Sequence, residues 1–150
     1  MSEPILFDTN ILVYAHNLDS LYHLKAISLV KAAAEGVLEG VLAQQNLLEF
    51  YAIITDHKRV NKPLSSKEAS SLIKDYLNSP FKIIFPNQET LKLALSLDKD
   101  SKGGEIFDTF LVTTMLSNNV KSIVTVNTKD FKTFPDIKII GLNEFEYAAS

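Results

Sequence analysis

Three carboxylates, those of Asp8, Glu49 and Asp108, lie in stretches of the sequence that are otherwise apolar. Each has a leucine or a phenylalanine beside it, and no lysine or arginine stands within two residues of any of them. Burying an ionised carboxylate is costly unless a cation or strong hydrogen-bond donors accompany it. Because Mg²⁺ and Mn²⁺ prefer oxygen ligands, the pattern predicts a site for a hard divalent cation.

A fourth oxygen-bearing side chain, that of Asn127, follows a β-branched apolar run, and Asp130 lies three residues farther on. Both residues are also typical of an ordinary turn. In the same way, Asp8 is compatible with a helix cap, Asp108 with a first helical turn and Glu49 with a solvated helix face. Taken singly, each residue therefore has a structural interpretation beside the functional one.

Short apolar runs alternate with amphipathic stretches along the chain, which is typical of an α/β protein with a mainly parallel sheet. The expected architecture is a three-layer α/β/α sandwich with four or five strands. The strands are predicted at 5–7, 40–44, 81–85, 122–126 and 138–140.

Helices are predicted where apolar residues recur at helical spacing. A capping box of Ser65 and Glu68 opens a helix over 65–78, and Asn87 caps another through Leu97. Further helices are predicted over 21–38, 47–54 (which is short enough to be a strand as well), 105–117 and 143–149, with a polar turn over 98–104. The expected inner faces are Leu24, Ile27, Val30, Ala34 and Val37; Leu91, Ala94 and Leu95; and Phe107, Phe110, Leu111, Thr114 and Met115.

These elements bring the oxygen-bearing side chains to one edge of the sheet. In a parallel sheet, functional groups gather at the carboxyl ends of the strands. Asp8 closes the first strand and Asn127 follows the fourth, while Glu49 and Asp108 lie in the first turns of helices that face that edge. We therefore expect all four to converge, which the separate structural interpretations do not explain.

Composition excludes several classes of protein. The chain has 150 residues, of which 46% are apolar and 22% charged, and we expect one globular domain over residues 1–150. It has no cysteine, which excludes disulfides, thiolate zinc sites and cysteine nucleophiles. The start shows no signal-peptide pattern, and no apolar run reaches the roughly 20 residues of a membrane helix. We therefore expect a cytoplasmic protein without a membrane role.

The formal net charge of −3, with Arg59 as the only arginine, argues against a protein that relies on non-specific phosphate contacts. Any nucleic-acid role therefore depends on a local patch or on the chemistry of a site. Lys58, Arg59 and Lys62 form the one compact basic run, which is either a solvated loop or a contact for an RNA backbone. The aromatic residues near the carboxylates are interpreted as core rather than as platforms for base stacking: Phe50, Tyr51, Phe107 and Phe110.

Several segments, spread over almost the whole chain, carry a family pattern. They are Phe7-Asp-Thr-Asn-Ile-Leu-Val-Tyr-Ala15, Gln45-Asn-Leu-Leu-Glu-Phe-Tyr51, Lys62-Pro-Leu-Ser-Ser-Lys-Glu68, Gly104-Glu-Ile-Phe-Asp-Thr-Phe-Leu111 and Val124-Thr-Val-Asn-Thr-Lys-Asp-Phe131. In this order and at these intervals, they resemble the PIN-domain ribonucleases, particularly the VapC-type toxins.

The resemblance implies a PIN-like fold and a Mg²⁺- or Mn²⁺-dependent endoribonuclease that acts as the toxin of a toxin–antitoxin pair. It implies a catalytic and metal-binding core of Asp8, Glu49 and Asp108, with Asn127 as the fourth catalytic member. Its supporting polar residues would be Asn10, Thr125 and Asp130. It also implies an RNA substrate, an antitoxin protein that masks the site, and a homodimer formed through helices near the amino terminus.

Two other functions remain to be weighed. A PIN-like module that has lost catalysis would bind RNA or act as a scaffold, and the uncharged Asn127 is the feature in its favour. A phosphoacceptor receiver domain also holds Mg²⁺ in an acidic α/β pocket, but it needs paired acids at the end of the first strand. Thr9 follows Asp8 there, which disfavours the receiver.

Overall fold

Short apolar and β-branched runs form one parallel sheet in the computed structural model, which describes residues 3–97 and 100–145. The strands are β1 Ile5–Phe7, β2 Gly40–Ala43, β3 Lys82–Ile84, β4 Ser122–Thr125 and β5 Lys138–Gly141. Their order across the sheet is β3-β2-β1-β4-β5, and every neighbouring pair is parallel. The predicted parallel sheet is confirmed, with five strands in the part of the chain described.

Six α-helices connect the strands in the described residues. They are α1 Thr9–Ala15, α2 His23–Ala34, α3 Gln44–Ile54, α4 Ser66–Leu77, α5 Gln88–Leu97 and α6 Glu105–Ser117, and two short 3-10 helices follow at Thr128–Phe131 and Leu142–Glu144. The segment 47–54 is thus helical. Residues 98 and 99 of the predicted turn and residues 146–149 of the predicted terminal helix lie outside the described residues.

Helices cover both faces of the sheet because successive side chains of a strand point to opposite faces. Ile5 and Phe7 of β1 pack in one core with residues of α1, α2, α3 and α4. Leu6 lies in a second core with residues of α6. The predicted three-layer α/β/α sandwich is therefore confirmed.

The predicted helix starts are confirmed at α4 and α5. The Ser65 hydroxyl accepts from the Glu68 N–H at 3.1 Å, and Glu68 Oε1 accepts from the Ser65 N–H at 3.1 Å. Asn87 Oδ1 accepts from the Thr90 N–H at 2.9 Å. In both cases a side-chain oxygen satisfies a backbone donor that the first helical turn leaves free.

The predicted inner faces of α2 and α5 are partly wrong. Leu24 of α2 is 80% exposed, and α2 instead buries Ala26, Leu29, Val30, Ala32 and Ala33. In α5, Leu91 and Leu95 are exposed, whereas Thr90 and Ala94 are buried. The inner face of α2 includes three alanines and that of α5 consists of Thr90 and Ala94, and helical spacing of apolar residues does not identify such faces.

The order of the strands places a crevice at the centre of the sheet. Strand order reverses between β1 and β4, and ligands of open α/β sheets bind outside the carboxyl ends of the strands at such a point. Asp8 follows β1, and its backbone N–H donates to the Val124 carbonyl of β4 at 3.0 Å. None of the described helices is long and apolar enough to cross a membrane.

Candidate active site

Asp8 ends β1 and is held by three hydrogen-bond donors. Its Oδ1 accepts from the Thr9 N–H at 2.8 Å, so Asp8 is the N-cap of α1. Its Oδ2 accepts from the Thr125 hydroxyl at 2.7 Å and from the Asn10 side-chain amide at 3.3 Å. Asp8 is therefore a helix cap, as one interpretation of the sequence expects, and its carboxylate also bridges β1 and β4 at the crevice.

Thr125 and Asn10 form a frame around Asp8. Thr125 is fully buried, and its hydroxyl accepts from the Asn127 N–H at 3.0 Å while it donates to Asp8. Asn10 Oδ1 accepts from the Val126 N–H at 3.4 Å. The structure therefore places both predicted supporting residues in contact with Asp8, and both tie it to the end of β4.

Glu49 lies in the second turn of α3 and is linked to Asp8 through Thr9, which donates a hydrogen bond to each carboxylate. The Thr9 hydroxyl donates to Glu49 Oε1 at 2.9 Å, and the side-chain amide of Asn46 donates to the same hydroxyl oxygen at 3.1 Å. Thr9 and Asn46 are both buried. Neither residue is predicted as part of the site from the sequence, although Asn46 precedes Glu49 by three residues and so shares its helix face.

Asp108 lies in the first turn of α6 and is half-buried. Within residues 3–97 and 100–145, its carboxylate accepts no hydrogen bond and forms no ion pair. The carboxylate is instead surrounded by like charges. This environment differs from that of Asp8, which three donors contact.

Burial and the charges of the cluster raise the pKa of two of its members. Burial raises the pKa of Asp8 to about 6, against the hydrogen bonds from Thr125 and Thr9, and the charges of Glu49 and Asp130 add to the rise. Burial also raises the pKa of Asp108 to about 6, with further contributions from Asp130, Asp8 and Glu49. Desolvation and like charge both disfavour ionisation, so Asp8, Glu49, Asp108 and Asp130 share one electrostatic environment.

Asn127 and Asp130, which follow β4, are both near the end of the sheet where Asp8 lies. Asn127 is exposed at the start of the 3-10 helix Thr128–Phe131, and its backbone N–H, not its side chain, contacts Thr125. Asp130 is also exposed, but its charge raises the pKa of Asp108 more than that of any other carboxylate does. Asp130, predicted only as a supporting residue, thus belongs to the acidic cluster electrostatically.

The donor set of the cluster fits a hard divalent cation by its chemistry. All of its charged groups are carboxylates, and no cationic side chain in the described residues pairs with them. Within those residues, however, no three carboxylate or imidazole groups stand together in a ready-made chelating arrangement. A cation would therefore have to draw the carboxylates together and offset the repulsion that raises their pKa.

An apolar cavity of ≈420 Å³ adjoins the cluster and shares Glu49 with it. Leu48, Pro86, Phe107 and Phe110 supply its apolar lining. Phe107 is 56% exposed, so its interpretation as a core residue is wrong. The same interpretation is confirmed for Phe50, which is fully buried, and for Tyr51, which packs against the core. Phe110 is partly buried and lines the cavity.

The basic run lies in the loop between α3 and α4, and all three of its side chains are exposed. Lys62 lines a separate cavity of ≈330 Å³ together with His16 and Asp19, which follow the carboxyl end of α1. Asp8 lies at the opposite end of that helix. The predicted RNA contacts of Lys58, Arg59 and Lys62 therefore stay a prediction.

Comparisons with known proteins agree with this geometry. A family model described as PIN domain matches residues 5–137. No curated protein gives a significant match.

Several solved structures share the fold at low identity. A toxin–antitoxin complex from Klebsiella pneumoniae has a TM-score of 0.61 at 18% identity, covering 94% of this chain and 99% of the other. The Mycobacterium tuberculosis toxin VapC20, described as cleaving the sarcin–ricin loop, has a TM-score of 0.59 at 13% identity over 79% and 86%. Rickettsia felis VapBC2, bound to a DNA fragment from its promoter, has a TM-score of 0.59 at 19% identity over 92% and 98%.

Proposed function

The chain belongs to the PIN domain family, and from this premise we propose that it is a metal-dependent endoribonuclease and the toxin of a toxin–antitoxin pair. The observation that carries the proposal is the acidic cluster at the switch point of the sheet. Burial, together with the charges of neighbouring carboxylates, raises the pKa of Asp8 and Asp108, and no described cationic side chain neutralises them. Such an arrangement lowers the stability of the metal-free fold, and groups with pKa values perturbed in this way are typical of functional sites.

Asp8, Glu49 and Asp108 are the residues that would hold Mg²⁺ or Mn²⁺, with Asp130 and Asn127 as candidates for a fourth position. When bound, such an ion activates water, orients a phosphate and stabilises charge on the phosphoryl oxygens. The carboxylates alone would repel an RNA backbone, so substrate binding at this site depends on the ion.

The chain itself contributes orientation and ionisation. Thr125, Asn10 and the Thr9 N–H hold Asp8 in one orientation. With pKa values near 6, the carboxyl groups of Asp8 and Asp108 are largely ionised at neutral pH and can receive a cation or a proton. The chain therefore presents negative charge in a fixed place at the end of β1 and in a more adaptable place at the start of α6.

We propose single-stranded RNA, reached in the cytoplasm, as the substrate. Unstacked bases of RNA stack on exposed aromatic rings, and Phe107 presents such a ring one residue from Asp108. A stacking role predicts that Phe107→Ala raises KM severalfold and leaves the metal requirement unchanged. If the ring serves packing alone, the variant will instead lower the melting temperature at an unchanged KM.

An antitoxin and a second copy of the chain are the proposed protein partners. Two groups of exposed leucines in the described residues are candidates for these contacts. One comprises Leu18, Leu21 and Leu24, close to the amino terminus, and the other lies on α5 with Leu91 and Leu95. The first fits the predicted homodimer through amino-terminal helices, and the second offers another contact surface.

Light scattering of two serine variants decides between these surfaces. If the amino-terminal surface forms the dimer, Leu21→Ser/Leu24→Ser will be monomeric and Leu91→Ser/Leu95→Ser will stay dimeric. The reverse result would place the dimer on α5, and a monomeric wild type would contradict the homodimer.

Cleavage of RNA by metal-stripped protein tests the proposed activity. We expect cleavage with Mg²⁺ or Mn²⁺, none with excess EDTA and no rescue by Zn²⁺, because the site offers neither sulfur nor imidazole. Asp75→Asn, which removes an exposed carboxylate of α4, is the matched control and should cleave like the wild type. Full cleavage in EDTA would contradict metal dependence.

A non-catalytic PIN-like RNA-binding or scaffold module remains the second candidate. The observation in its favour is the amide of Asn127, which adds no charge to the site. The charge of Asp130 beside Asp108 offsets this deficit. RNA binding without cleavage at any tested metal concentration would establish the scaffold function instead.

A further inference from the structure

Among the described residues, the carboxylate of Glu49 accepts a single side-chain hydrogen bond, and its donor is a hydroxyl group. Its Oε1 accepts from the Thr9 hydroxyl at 2.9 Å. A hydroxyl has a single proton and can give it to one acceptor at a time. Whether Thr9 gives its proton to Glu49 therefore depends on what occupies the other side of the Thr9 oxygen.

Asn46 occupies that other side. Its side chain is fully buried in the first turn of α3, and its Nδ2 donates to Thr9 Oγ1 at 3.1 Å. A donor at that position uses a lone pair of the hydroxyl oxygen. The hydroxyl proton of Thr9 is then free to point at Glu49.

The orientation of the Asn46 amide is itself determined by the backbone. Asn46 Oδ1 accepts from the Ala43 N–H at 2.9 Å, and a backbone N–H can only donate. If the amide were turned over, its NH₂ would meet the Ala43 N–H as donor against donor, and its oxygen would compete with Glu49 for the proton of Thr9. One orientation therefore satisfies all three hydrogen bonds.

An ordinary helix cap accounts for only half of this arrangement. The contact between Asn46 Oδ1 and Ala43 is what a capping box requires at the third helical position. It does not require a bond from the amide nitrogen to a residue of α1, 37 positions away in the sequence. That second bond joins the end of β2 to the carboxylate through a chain of fixed polarity.

We propose that Asn46 is a positioning residue of the acidic site, which acts through Thr9 to hold Glu49 in the orientation that binds the cation. The inference rests on the proposed function, because it assigns Glu49 a cation to bind. Partners that orient metal ligands in this way typically contribute 10- to 100-fold to metal affinity. Asn46 contacts neither Glu49 nor the cation in this scheme.

Titration of metal-free protein with Mn²⁺ by calorimetry tests the chain of bonds without turnover. Thr9→Val keeps the shape of the side chain and removes the hydroxyl, and we expect Kd for Mn²⁺ to rise about tenfold or more. Thr9→Ser restores the hydroxyl and should bind Mn²⁺ like the wild type. Thr113→Val is the matched control, because the buried Thr113 hydroxyl donates only to carbonyl groups of its own helix.

Asn46→Ser extends the test to the first bond of the chain. A serine can still accept from the Ala43 N–H, but it is too short to reach Thr9, so the cap survives and Kd should rise. In the Thr9→Val background, Asn46→Ser should change Kd no further, because both changes interrupt the same path. Melting temperatures of all variants show whether the fold is retained.

The outcomes separate this inference from the proposed function. A wild type that binds no Mn²⁺ contradicts the proposed function and the inference with it. A wild type that binds Mn²⁺, together with an unchanged Kd in Thr9→Val or additive effects of the two substitutions, overturns the inference alone. An impaired Thr9→Ser would overturn it as well, since the hydroxyl would then not be what matters.

Discussion

The two sides of the acidic cluster are built in opposite ways. On one side, Asp8 and Glu49 accept hydrogen bonds from Thr125, Asn10 and Thr9, which are themselves tied to the backbone or to buried side chains. On the other side, Asp108 accepts none from the described residues, and its strongest charged neighbour is another carboxylate.

This difference indicates how such a site can form before a cation binds. The side made by the strand ends is determined when the sheet and its first helices form, because its donors belong to the fold. The side at the start of α6 keeps its repulsion at neutral pH until a cation or a proton relieves it. We expect substitutions on the first side to disturb geometry and substitutions on the second to change mainly charge.

The largest expected effect is on cleavage, and here the two sides should behave alike. Asp8→Asn and Asp108→Asn each remove a proposed ligand, so each should lower kcat/KM at least about a hundredfold, or roughly 2.7 kcal/mol. Cleavage assays at matched Mn²⁺ concentration measure this, with Asp75→Asn as control. Wild-type turnover in either variant would remove that residue from the site.

The second prediction compares Asp130 with Asn127. Because the charge of Asp130 acts on Asp108, Asp130→Asn should weaken Mn²⁺ binding by about tenfold, whereas Asn127→Ala should change it less. Asn127→Asp should tighten Mn²⁺ binding and lower the metal-free melting temperature only if this residue faces the cluster. Calorimetry of the three variants identifies the fourth member, and equal losses in Asp130→Asn and Asn127→Ala would assign both residues to it.

The third prediction concerns the hydrogen-bonded side. Thr125→Val removes a donor to Asp8 without changing the shape of the buried side chain, so it should cost about 1 kcal/mol of stability. It should also raise the pKa of Asp8 further, because that hydrogen bond lowers it. Chemical denaturation and the pH profile of cleavage measure the two effects. A profile that stays in place would show that Thr125 does not support the charge of Asp8.

The smallest expected effects are on the stability of metal-free protein. The folded-state pKa of Asp8 and Asp108 is about 6, above the ordinary 3.8, so the folded chain binds more protons than the unfolded chain between these values. Stability should therefore fall as pH rises from about 4 to about 7. Because partial exposure screens Asp108, we expect Asp8 to contribute most of this loss.

Melting curves of the two asparagine variants test whether the two sides of the cluster differ. At pH near 7.5, Asp108→Asn should raise the melting temperature, because it relieves repulsion and loses no hydrogen bond. Asp8→Asn should gain less, because an amide cannot accept from all three donors that contact Asp8. A larger gain in Asp8→Asn would contradict the proposed difference between the two sides.

Much of this arrangement could be predicted from the sequence, and the failures have physical causes. Parallel strands and their carboxyl ends follow from apolar periodicity, so the positions of Asp8, Glu49 and Asp108 along the elements can be predicted from the sequence. The exposure of Leu91 and Leu95 cannot be predicted in this way, because helical spacing shows which residues share a face but not what covers that face. For the same reason, helical spacing predicts Phe107 in the core, whereas its ring is exposed.

The hydrogen-bonded frame can be predicted from the sequence only in part. Asn10 and Thr125 entered through family resemblance, whereas Thr9 and Asn46 are ordinary residues for a cap and a helix start. Their importance depends on a contact between α1 and α3 across 37 positions of sequence, which no local pattern encodes. The role of Asp130 likewise depends on where the short 3-10 helix places its charge.

Binding of a divalent cation by the acidic cluster can be tested directly by the anomalous scattering of Mn²⁺ in a crystal. We predict an anomalous peak in contact with the carboxylates of Asp8 and Asp108, with Glu49 still bonded to Thr9, and no such peak in a crystal of Asp108→Asn under the same conditions. A peak elsewhere, or an empty cluster at saturating Mn²⁺, would contradict the account.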